Sequence, residues 1–236
     1  MKIRFSAFLL AVVILLCPSC THDKKQHYIG EKYLGAKYIF DPLGEGKAPD
    51  KDPLIRTDAF DCMSFVETAL AGEDVEKLNK IRYKDGKVDI LTRNHFMEVD
   101  WMKNNQDIVE NVSSEFGKTE TKNVIIDKQN WFKKNYNMKT DFEKELAEIE
   151  YIPYKNLPEI HVTEPMIVLF LCDGKGFYER IGSDLTIIHM GFLLPGDILR
   201  HASSKYGIVM DADFNKYIAK NKKNKHHIGI ALVKIK

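Results

Sequence analysis

The chain has 236 residues, of which 44% are hydrophobic, 11% aromatic and 29% charged, and 35 lysines and arginines nearly balance 34 aspartates and glutamates. This composition excludes a disordered tail, a collagen-like repeat and a basic domain that coats nucleic acid, and it argues against a partner recruited by net charge. Four cysteines are too few for a disulfide scaffold.

The first residues have the pattern of a secretory signal. Lys2 and Arg4 precede an almost unbroken apolar run that ends at Cys17. This run is shorter than the roughly 20 apolar residues that a membrane span needs. An uncleaved N-terminal membrane anchor is the alternative interpretation. We predict a signal peptide over residues 1–19, so the folded part is expected to lie outside the cytoplasm.

The remainder is expected to form a single α+β domain over residues 28–236. Helical and strand patterns follow one another along the chain, with helices first and an antiparallel sheet later. The predicted helices are 61–71, 74–81, 129–136, 141–148 and 211–221; the predicted strands are 166–171, 185–194, 198–203 and 228–235; a hairpin is predicted over 82–88. Residues 102–160 are polar and rich in Asn and Lys, and we interpret them as an insertion into this domain.

Three residues in the predicted domain have the chemistry of a nucleophilic site. Cys62 starts the first predicted helix, where free N–H groups and the helix dipole favour a thiolate over a thiol. His189 and His201 lie on two strands that fold back on each other around residue 195, so they are predicted to lie roughly opposite each other on one face. A thiolate, an imidazole base and a third polar group that orients the base form a catalytic set.

Several alternatives remain open for the same residues. A cysteine at the start of an amphipathic helix is often a small core residue, and a histidine in a strand is often structural. A disulfide between Cys62 and Cys172 is an alternative in an oxidising compartment. Zinc binding by Cys62 and the two histidines is another, although the sequence shows no evident fourth ligand.

The separated motifs resemble those of a known superfamily. The order L-G-A-K-Y, D-C-M-S-F, H-M-G and H-A is similar to that of the NlpC-type cell-wall cysteine amidohydrolases, which resemble papain in fold, with a nucleophile helix packed on an antiparallel sheet. Longer stretches, including F-D-C-M-S-F-V-E-T-A-L-A, R-N-H-F-M-E-V-D-W and G-D-I-L-R-H-A-S, resemble the N-acetylmuramoyl-L-alanine amidase-like family of periplasmic enzymes that act on muropeptides. The resemblance runs from about Tyr28 to Gly207.

This resemblance implies roles for individual residues. Cys62 is expected to be the nucleophile, His189 the general base and His201 its orienting partner. The residues expected to contact or build the substrate groove are Tyr38, Asp61, Glu67, Arg93, His95 and Trp101. Other roles are open for some of them: helix capping for Asp61, bracing of the helix for Glu67, a structural salt bridge for Arg93 and core packing for Trp101.

The end of the apolar run resembles the lipid-attachment site of bacterial lipoproteins. Cys20 follows the small residue Ser19, and we predict that it is lipidated, with residues 20–27 as a polar tether. By the usual sorting pattern, Thr21 after this cysteine indicates the outer membrane. The expected location is therefore the periplasm, with attachment to the outer membrane through the lipid.

The resemblance implies hydrolysis of the amide between N-acetylmuramic acid, or its anhydro form, and L-Ala of a peptidoglycan stem peptide. The expected partners are peptidoglycan fragments and the membrane, with no nucleic acid, metal or other cofactor. Two rival functions remain: an endopeptidase that cuts between D-Glu and the diamino acid of the stem, and a non-catalytic lipoprotein that binds muropeptides.

Overall fold

The computed structural model describes residues 29–236, so the predicted signal peptide, the lipidation site Cys20 and the tether lie outside the described residues. The strands are β1 Lys37–Tyr38, β2 Ala59–Phe60, β3 Val109–Asn111, β4 Glu120–Ile126, β5 Glu145–Pro153, β6 Met166–Cys172, β7 Ile187–Leu194, β8 Ile198–Ser203, β9 Ile208–Asp213 and β10 His227–Ile235. The helices are α1 Cys62–Ala71, α2 Val75–Arg82, α3 Met102–Asn104, α4 Ser113–Phe116, α5 Lys128–Tyr136, α6 Phe177–Ile181 and α7 Phe214–Asn221.

A curled, half-barrel sheet organises the domain, and the architecture is mixed α+β. The strand order is β2-β1-β9-β8-β7-β6-β10-β5-β4, with β3 paired to β10 beside this path. The β1–β2 pair is parallel and the other pairs described are antiparallel. The α+β class expected from the sequence is thereby confirmed.

The centre of the sheet is buried on both faces, which explains the apolar run of β6. Ile167, Leu169 and Leu171 point into one core, which also receives α1, whereas Val168 and Phe170 point into a second core that receives α7. A strand covered on both sides reads as continuous hydrophobic sequence instead of an alternating one. The structure confirms the strand predicted at 166–171.

Helix α1 begins at Cys62 because its first turn is capped from the preceding residue. The Oδ1 atom of Asp61 accepts the backbone N–H of Ser64 at 2.8 Å, and the hydroxyl of Ser64 accepts the backbone N–H of Asp61 at 2.9 Å. This reciprocal capping box satisfies two donors that the first turn leaves free. The helix ends at Gly72, which has a positive φ of 66°, and it packs against β7 and β8.

Three local predictions are wrong. Where a two-stranded hairpin was predicted over 82–88, Arg82 ends α2 and residues 84–86 form a tight turn in which Asp85 and Gly86 have positive φ. Residues 145–153 are strand β5, where a helix was predicted over 141–148. Strand β9 runs through Asp213, so helix α7 starts at Phe214 and not at Asp211. In each case tertiary pairing with a neighbouring strand or segment overrides the local pattern.

Residues 102–160, interpreted from the sequence as an insertion, contribute strands β3, β4 and β5 to the sheet. Strand β5 pairs with β10 and then with β4 along seven residue pairs, and α5 lies between β4 and β5 in the chain. The structure confirms the helix predicted over 129–136 as α5. In the described part of the chain, none of the helices has both the length and the apolar character that a membrane span requires.

Candidate active site

His189 and His201 lie where two neighbouring strands diverge. Strands β7 and β8 are paired from Phe192–Arg200 to Leu194–Ile198, and the ladder between them does not continue toward the start of β7. In the widened space, Nε2 of His189 and Nδ1 of His201 are 2.7 Å apart. The structure confirms that the two side chains share one face of the sheet.

The register between the two strands differs from the expected one by two positions. The β7–β8 turn is centred on Gly196, with Leu194 opposite Ile198, so His201 lies across from Gly191 and diagonally from His189. A Cβ atom at Gly191 would lie 2.8 Å from both the carbonyl oxygen of Arg200 and Cβ of His201. The absence of a side chain at 191 is therefore what allows the imidazole of His201 to reach His189.

Cys62 is at the N-terminus of α1, against the unpaired part of β7. The backbone N–H groups of Met190, Met63 and Cys62 lie close enough to the sulfur to lower its pKa. Burial outweighs them, followed by the negative charge of Asp61, and the pKa of the Cys62 thiol is raised to about 12. Two tyrosines, Tyr38 and Tyr217, are close enough to the sulfur for a thiolate to raise their own pKa values.

The two imidazoles are neutral in the resting site. Burial, and then the charge of the neighbouring His201, lowers the pKa of His189 to about 3. Burial lowers the pKa of His201 to about 4, with a partly compensating effect of Asp211. The expectation that the helix N-terminus favours a thiolate at Cys62 is therefore not met: desolvation of the sulfur exceeds the effect of the helix, and the thiol form is favoured.

The His189–His201 contact fixes which nitrogen of each ring is available. Because Nε2 of His189 is taken by His201, Nδ1 is the nitrogen of His189 that this contact leaves free to accept a proton. For Nδ1 to be an acceptor, the ring proton of His189 must be on Nε2, and Nδ1 of His201 must accept it. His201 then carries its own proton on Nε2.

Cys62 and His189 line one cavity of about 690 Å³. The cavity has aromatic walls and a few polar groups, as is common for sites that bind small molecules. Its lining includes Phe40, Asp41, Met63, His95, Trp131, Asn135, Tyr136, Phe177, Arg180, Ile188 and Met190. A larger cavity of about 920 Å³ lies between Ile29 and Lys236 and has no cysteine or histidine in its lining, so we assign the candidate site by its chemistry and not by its size.

Three of the six predicted substrate residues lie near the Cys62 sulfur or line the cavity that contains it. Tyr38 is half-buried on β1, and burial raises its pKa to about 12. Asp61 precedes Cys62 and caps α1. His95 lines the cavity and packs against Trp131 with ring centroids 4.6 Å apart, and its Nε2 contacts the carbonyl oxygen of Ile90 at 2.8 Å.

Glu67 and Trp101 contact each other inside the core and do not line the cavity. The indole N–H of Trp101 donates to Oε1 of Glu67 at 3.1 Å, and Nε of Arg82 lies 3.2 Å from Oε2. Trp101 is 0% exposed and Glu67 is 3% exposed. The structure therefore assigns both residues to a buried polar cluster that braces α1, in place of the expected groove role.

Arg93 forms hydrogen bonds with two buried carboxylates. Its Nε and Nη2 donate to the two carboxylate oxygens of Glu45 at 2.8 and 2.7 Å, and Nη2 also donates to Asp50 at 2.7 Å. Nη1 lies 3.6 Å from Asp41, which lines the cavity. The expected role of Arg93 as a substrate-groove residue is therefore corrected. Its guanidinium group instead holds the segment that carries Asp41, at the rim of the cavity.

Sequence reasoning missed the residues that cover the histidines and the far wall of the cavity. Phe170 stacks on His189 at 5.6 Å, and Tyr217 contacts both His189 and His201 at centroid distances of 6.3 and 5.2 Å. Trp131 and Tyr136 come from α5 in the insertion. The aromatic residues of α5, spaced along one helix, were the available signal.

Cys62 and Cys172 are both free thiols, which removes the disulfide alternative. Within residues 29–236, no group of three or more His, Cys, Asp or Glu side chains is arranged to hold a metal ion.

The fold has several known relatives among solved structures. A protein of Legionella pneumophila is 25% identical, with a TM-score of 0.80 over 88% of this chain and 87% of that one. An N-acetylmuramoyl-L-alanine amidase from Bacteroides uniformis is 24% identical, with a TM-score of 0.70 over 91% and 98%. A putative xylanase from Bacteroides fragilis is 24% identical, with a TM-score of 0.67 over 89% and 100%. No curated protein matches the chain.

A family model described as N-acetylmuramoyl-L-alanine amidase-like matches residues 28–230. The chain therefore belongs to the N-acetylmuramoyl-L-alanine amidase-like family, as the sequence motifs indicated. Family membership places it, at this coarse level, among amidase-like proteins that act on peptidoglycan.

Proposed function

We propose that this protein is a cysteine amidase that hydrolyses the amide between N-acetylmuramic acid, or its anhydro form, and L-Ala of peptidoglycan stem peptides. One observation carries the proposal: Cys62 and His189 line the same cavity, and His189 is held by His201 at 2.7 Å. A helix that presents the nucleophile and a sheet that presents the base is the arrangement of an NlpC-type, papain-like enzyme. The family name supports the choice of substrate.

In the proposed mechanism, Nδ1 of His189 takes the thiol proton as the sulfur attacks the lactyl carbonyl carbon. The electrons of the carbonyl bond move to its oxygen, and we expect the backbone N–H groups of Cys62 and Met190, which lie close to the sulfur, to stabilise that oxyanion. The imidazolium then donates its proton to the amide nitrogen, and the peptide leaves with a free L-Ala amine. Water, deprotonated by His189, attacks the thioester, which releases the lactyl carboxylate and restores the thiol.

The resting protonation states define what substrate binding has to achieve. A thiol with a pKa of about 12 and an imidazole with a pKa of about 3 form a poor nucleophile–base pair in the empty cavity. Proton transfer therefore has to be coupled to attack on the substrate, because the charged pair alone is disfavoured by desolvation.

The test is digestion of a defined muropeptide, followed by mass spectrometry of the products. The amidase releases an intact stem peptide, whereas a sugar that still carries a dipeptide would identify the endopeptidase instead. Cys62→Ala should abolish turnover, and Cys172→Ala, which also removes a free thiol, should retain it. Intact muropeptide after prolonged incubation with folded wild-type protein would favour a non-catalytic binding protein and would refute the proposal.

We also propose that the protein is a periplasmic lipoprotein, with residues 28–236 as its catalytic domain. The support is the sequence pattern before residue 28: a charged start, a short apolar run and Cys20 after a small residue. Metabolic labelling with a radioactive fatty acid should mark the wild-type protein. Cys20→Ala should lose the label, and a label retained by that variant would contradict lipidation at Cys20.

A further inference from the structure

A second cavity lies beside the histidine pair. Its volume is about 380 Å³, and it shares Ile188 and His189 with the cavity that contains Cys62, whereas His201 lines the second cavity alone. The other lining residues come from β8, β9, α7 and the loop after β8: Ser203, Ser204, Lys205, Tyr206, Met210, Ala212, Asp213, Lys216, Tyr217, Lys220 and Asn221.

Positively charged side chains outnumber negatively charged ones around this cavity. Three lysines line it against one carboxylate, Asp213, and that carboxylate is 3.2 Å from Lys216. Within residues 29–236, Lys205 and Lys220 form no salt bridge with an acidic side chain. Instead the two ammonium groups lie close to each other, and Lys205 lowers the pKa of Lys220. A negative charge between them would relieve this repulsion.

His201 presents a buried donor to the same cavity. Its side chain is 3% exposed, and its Nδ1 is taken by His189. The proton that the His189–His201 contact leaves on Nε2 of His201 has no protein acceptor within the described residues. Apart from Asp213, which is paired with Lys216, and the amide of Asn221, the polar side chains that line the cavity are histidines, lysines and hydroxyl groups.

We propose that this cavity binds a carboxylate or phosphate group, which accepts hydrogen bonds from Nε2 of His201 and from the ammonium groups of Lys205 and Lys220. Such an anion completes a chain that runs from Cys62 through His189 and His201. Ligand binding at this site does not depend on the proposed function, whereas its effect on turnover rests on it.

The anion changes the chemistry of the histidine pair in a defined direction. A negative charge beside His201 favours the imidazolium form of the pair, so the base becomes stronger. The other titratable groups around the pair are Cys62 from α1, Lys205 from the loop after β8, Asp211 and Asp213 from β9, and Lys216, Tyr217 and Lys220 from α7. Both carboxylates are already paired, Asp211 with Arg200 at 2.8 Å and Asp213 with Lys216 at 3.2 Å.

The anion bound in this cavity can come from two sources. One is a carboxylate of the stem peptide, which is acidic, and the other is a free anion in solution. The cavity shares His189 with the cavity that contains Cys62, so either source reaches the same two histidines.

Direct binding is tested on the Cys62→Ala variant, which cannot turn over substrate, by following histidine ring resonances in NMR spectra. Acetate or inorganic phosphate should shift the resonances of His189 and His201 saturably in the millimolar range, relative to chloride at equal ionic strength. Adding Lys205→Ala and Lys220→Ala should weaken binding by about tenfold, the usual loss for charged hydrogen bonds. The matched control adds Lys222→Ala and Lys223→Ala, which remove the same charge outside the cavity, and should leave the affinity unchanged.

The source is then identified with the wild-type enzyme. Stimulation of muropeptide hydrolysis by phosphate indicates a free anion, whereas inhibition by phosphate, together with slower hydrolysis of a stem peptide with amidated carboxyl groups, indicates the substrate. Histidine resonances that do not respond to either anion, or respond equally in the Lys205/Lys220 and Lys222/Lys223 variants, would overturn the proposal even if the enzyme is an active amidase. Saturable binding without any muropeptide hydrolysis would keep the anion site and reject the amidase function.

Discussion

The carboxylate of Glu98 ties the start of β7 to the turn that precedes α3. Its Oε1 atom accepts the backbone N–H groups of Thr186 and Ile187, each at 2.8 Å. Both donors belong to buried residues, and His189 follows two positions after Ile187. Glu98→Ala leaves the two N–H groups without an acceptor, whereas Glu98→Gln keeps a carbonyl oxygen in the same place.

The structure sets the size of the expected loss. A buried N–H without a partner costs about 1–3 kcal/mol, so Glu98→Ala should lower the free energy of unfolding by about 2–6 kcal/mol. That is a large part of the about 5–15 kcal/mol that stabilises a typical domain. Burial raises the pKa of Glu98, and its Oε2 has no hydrogen-bond partner within the described residues. Glu98→Gln removes a poorly compensated charge and should stay within about 1 kcal/mol of wild type.

Urea unfolding followed by tryptophan fluorescence measures the stabilities of the two variants. Hydrolysis of muropeptide, assayed where both variants are folded, measures the catalytic effect. Glu98→Ala should lower kcat more than it raises KM, because the displaced strand carries the base, and Glu98→Gln should restore kcat. Equal stability of the two variants, or wild-type kcat in Glu98→Ala, would refute this account of Glu98.

Three further outcomes follow from the site. Iodoacetamide should alkylate Cys62 at a rate that rises with pH through the neutral range, since burial raises the thiol pKa to about 12; a rate already constant from about pH 5 upward would show a resting thiolate instead. Trp131→Leu should raise KM because Trp131 lines the cavity, and it should destabilise the fold less than Trp101→Leu because Trp131 is only partly buried. Trp101→Leu should destabilise the fold by about 2–4 kcal/mol, and a KM effect confined to Trp101→Leu would contradict these assignments. Burial, and then Arg93, lowers the pKa of His95 to about 3, so the unfolded chain binds the proton first as pH falls. The contribution of His95 to the free energy of unfolding should therefore decline by up to about 1.4 kcal/mol per pH unit between about pH 6.5 and about pH 3. The urea midpoint of His95→Gln should depend less steeply on pH than that of the wild type, and an equal pH dependence would contradict a neutral His95 in the folded protein.

The sequence was sufficient for elements that follow one local pattern. The apolar run of β6 and the capped, amphipathic start of α1 are each specified by neighbouring residues, and both are where they were expected. The histidine pair was also recognisable, because period-two alternation decides which face a strand residue occupies. The register of strands β7 and β8 could not be predicted, because it depends on a turn in which Gly196 and Asp197 both adopt positive φ.

The partners of buried charges were beyond sequence reasoning. Arg93 and Glu67 carry functional groups suited to binding a substrate, and nothing local indicates that Glu45 and Arg82 will neutralise them from 48 and 15 positions away. The aromatic wall from α5 was missed for the same reason. Helix α5 lines the candidate site because β4 and β5 extend the sheet on either side of it in the chain, and that placement is a long-range property.

The rim residues Phe40 and Asp41 lie in a stretch between β1 and β2 that has no strand or helix of its own. Arg93 holds this stretch through Glu45 and Asp50. The rim is thus held in place by a few ion pairs and not by hydrogen bonds to a strand of the sheet. Such a segment, together with Glu45 and Asp50, can be replaced without disturbing helix α1, which carries Cys62. Substitutions in this stretch should accordingly change which ligands this protein accepts while the position of Cys62 stays the same.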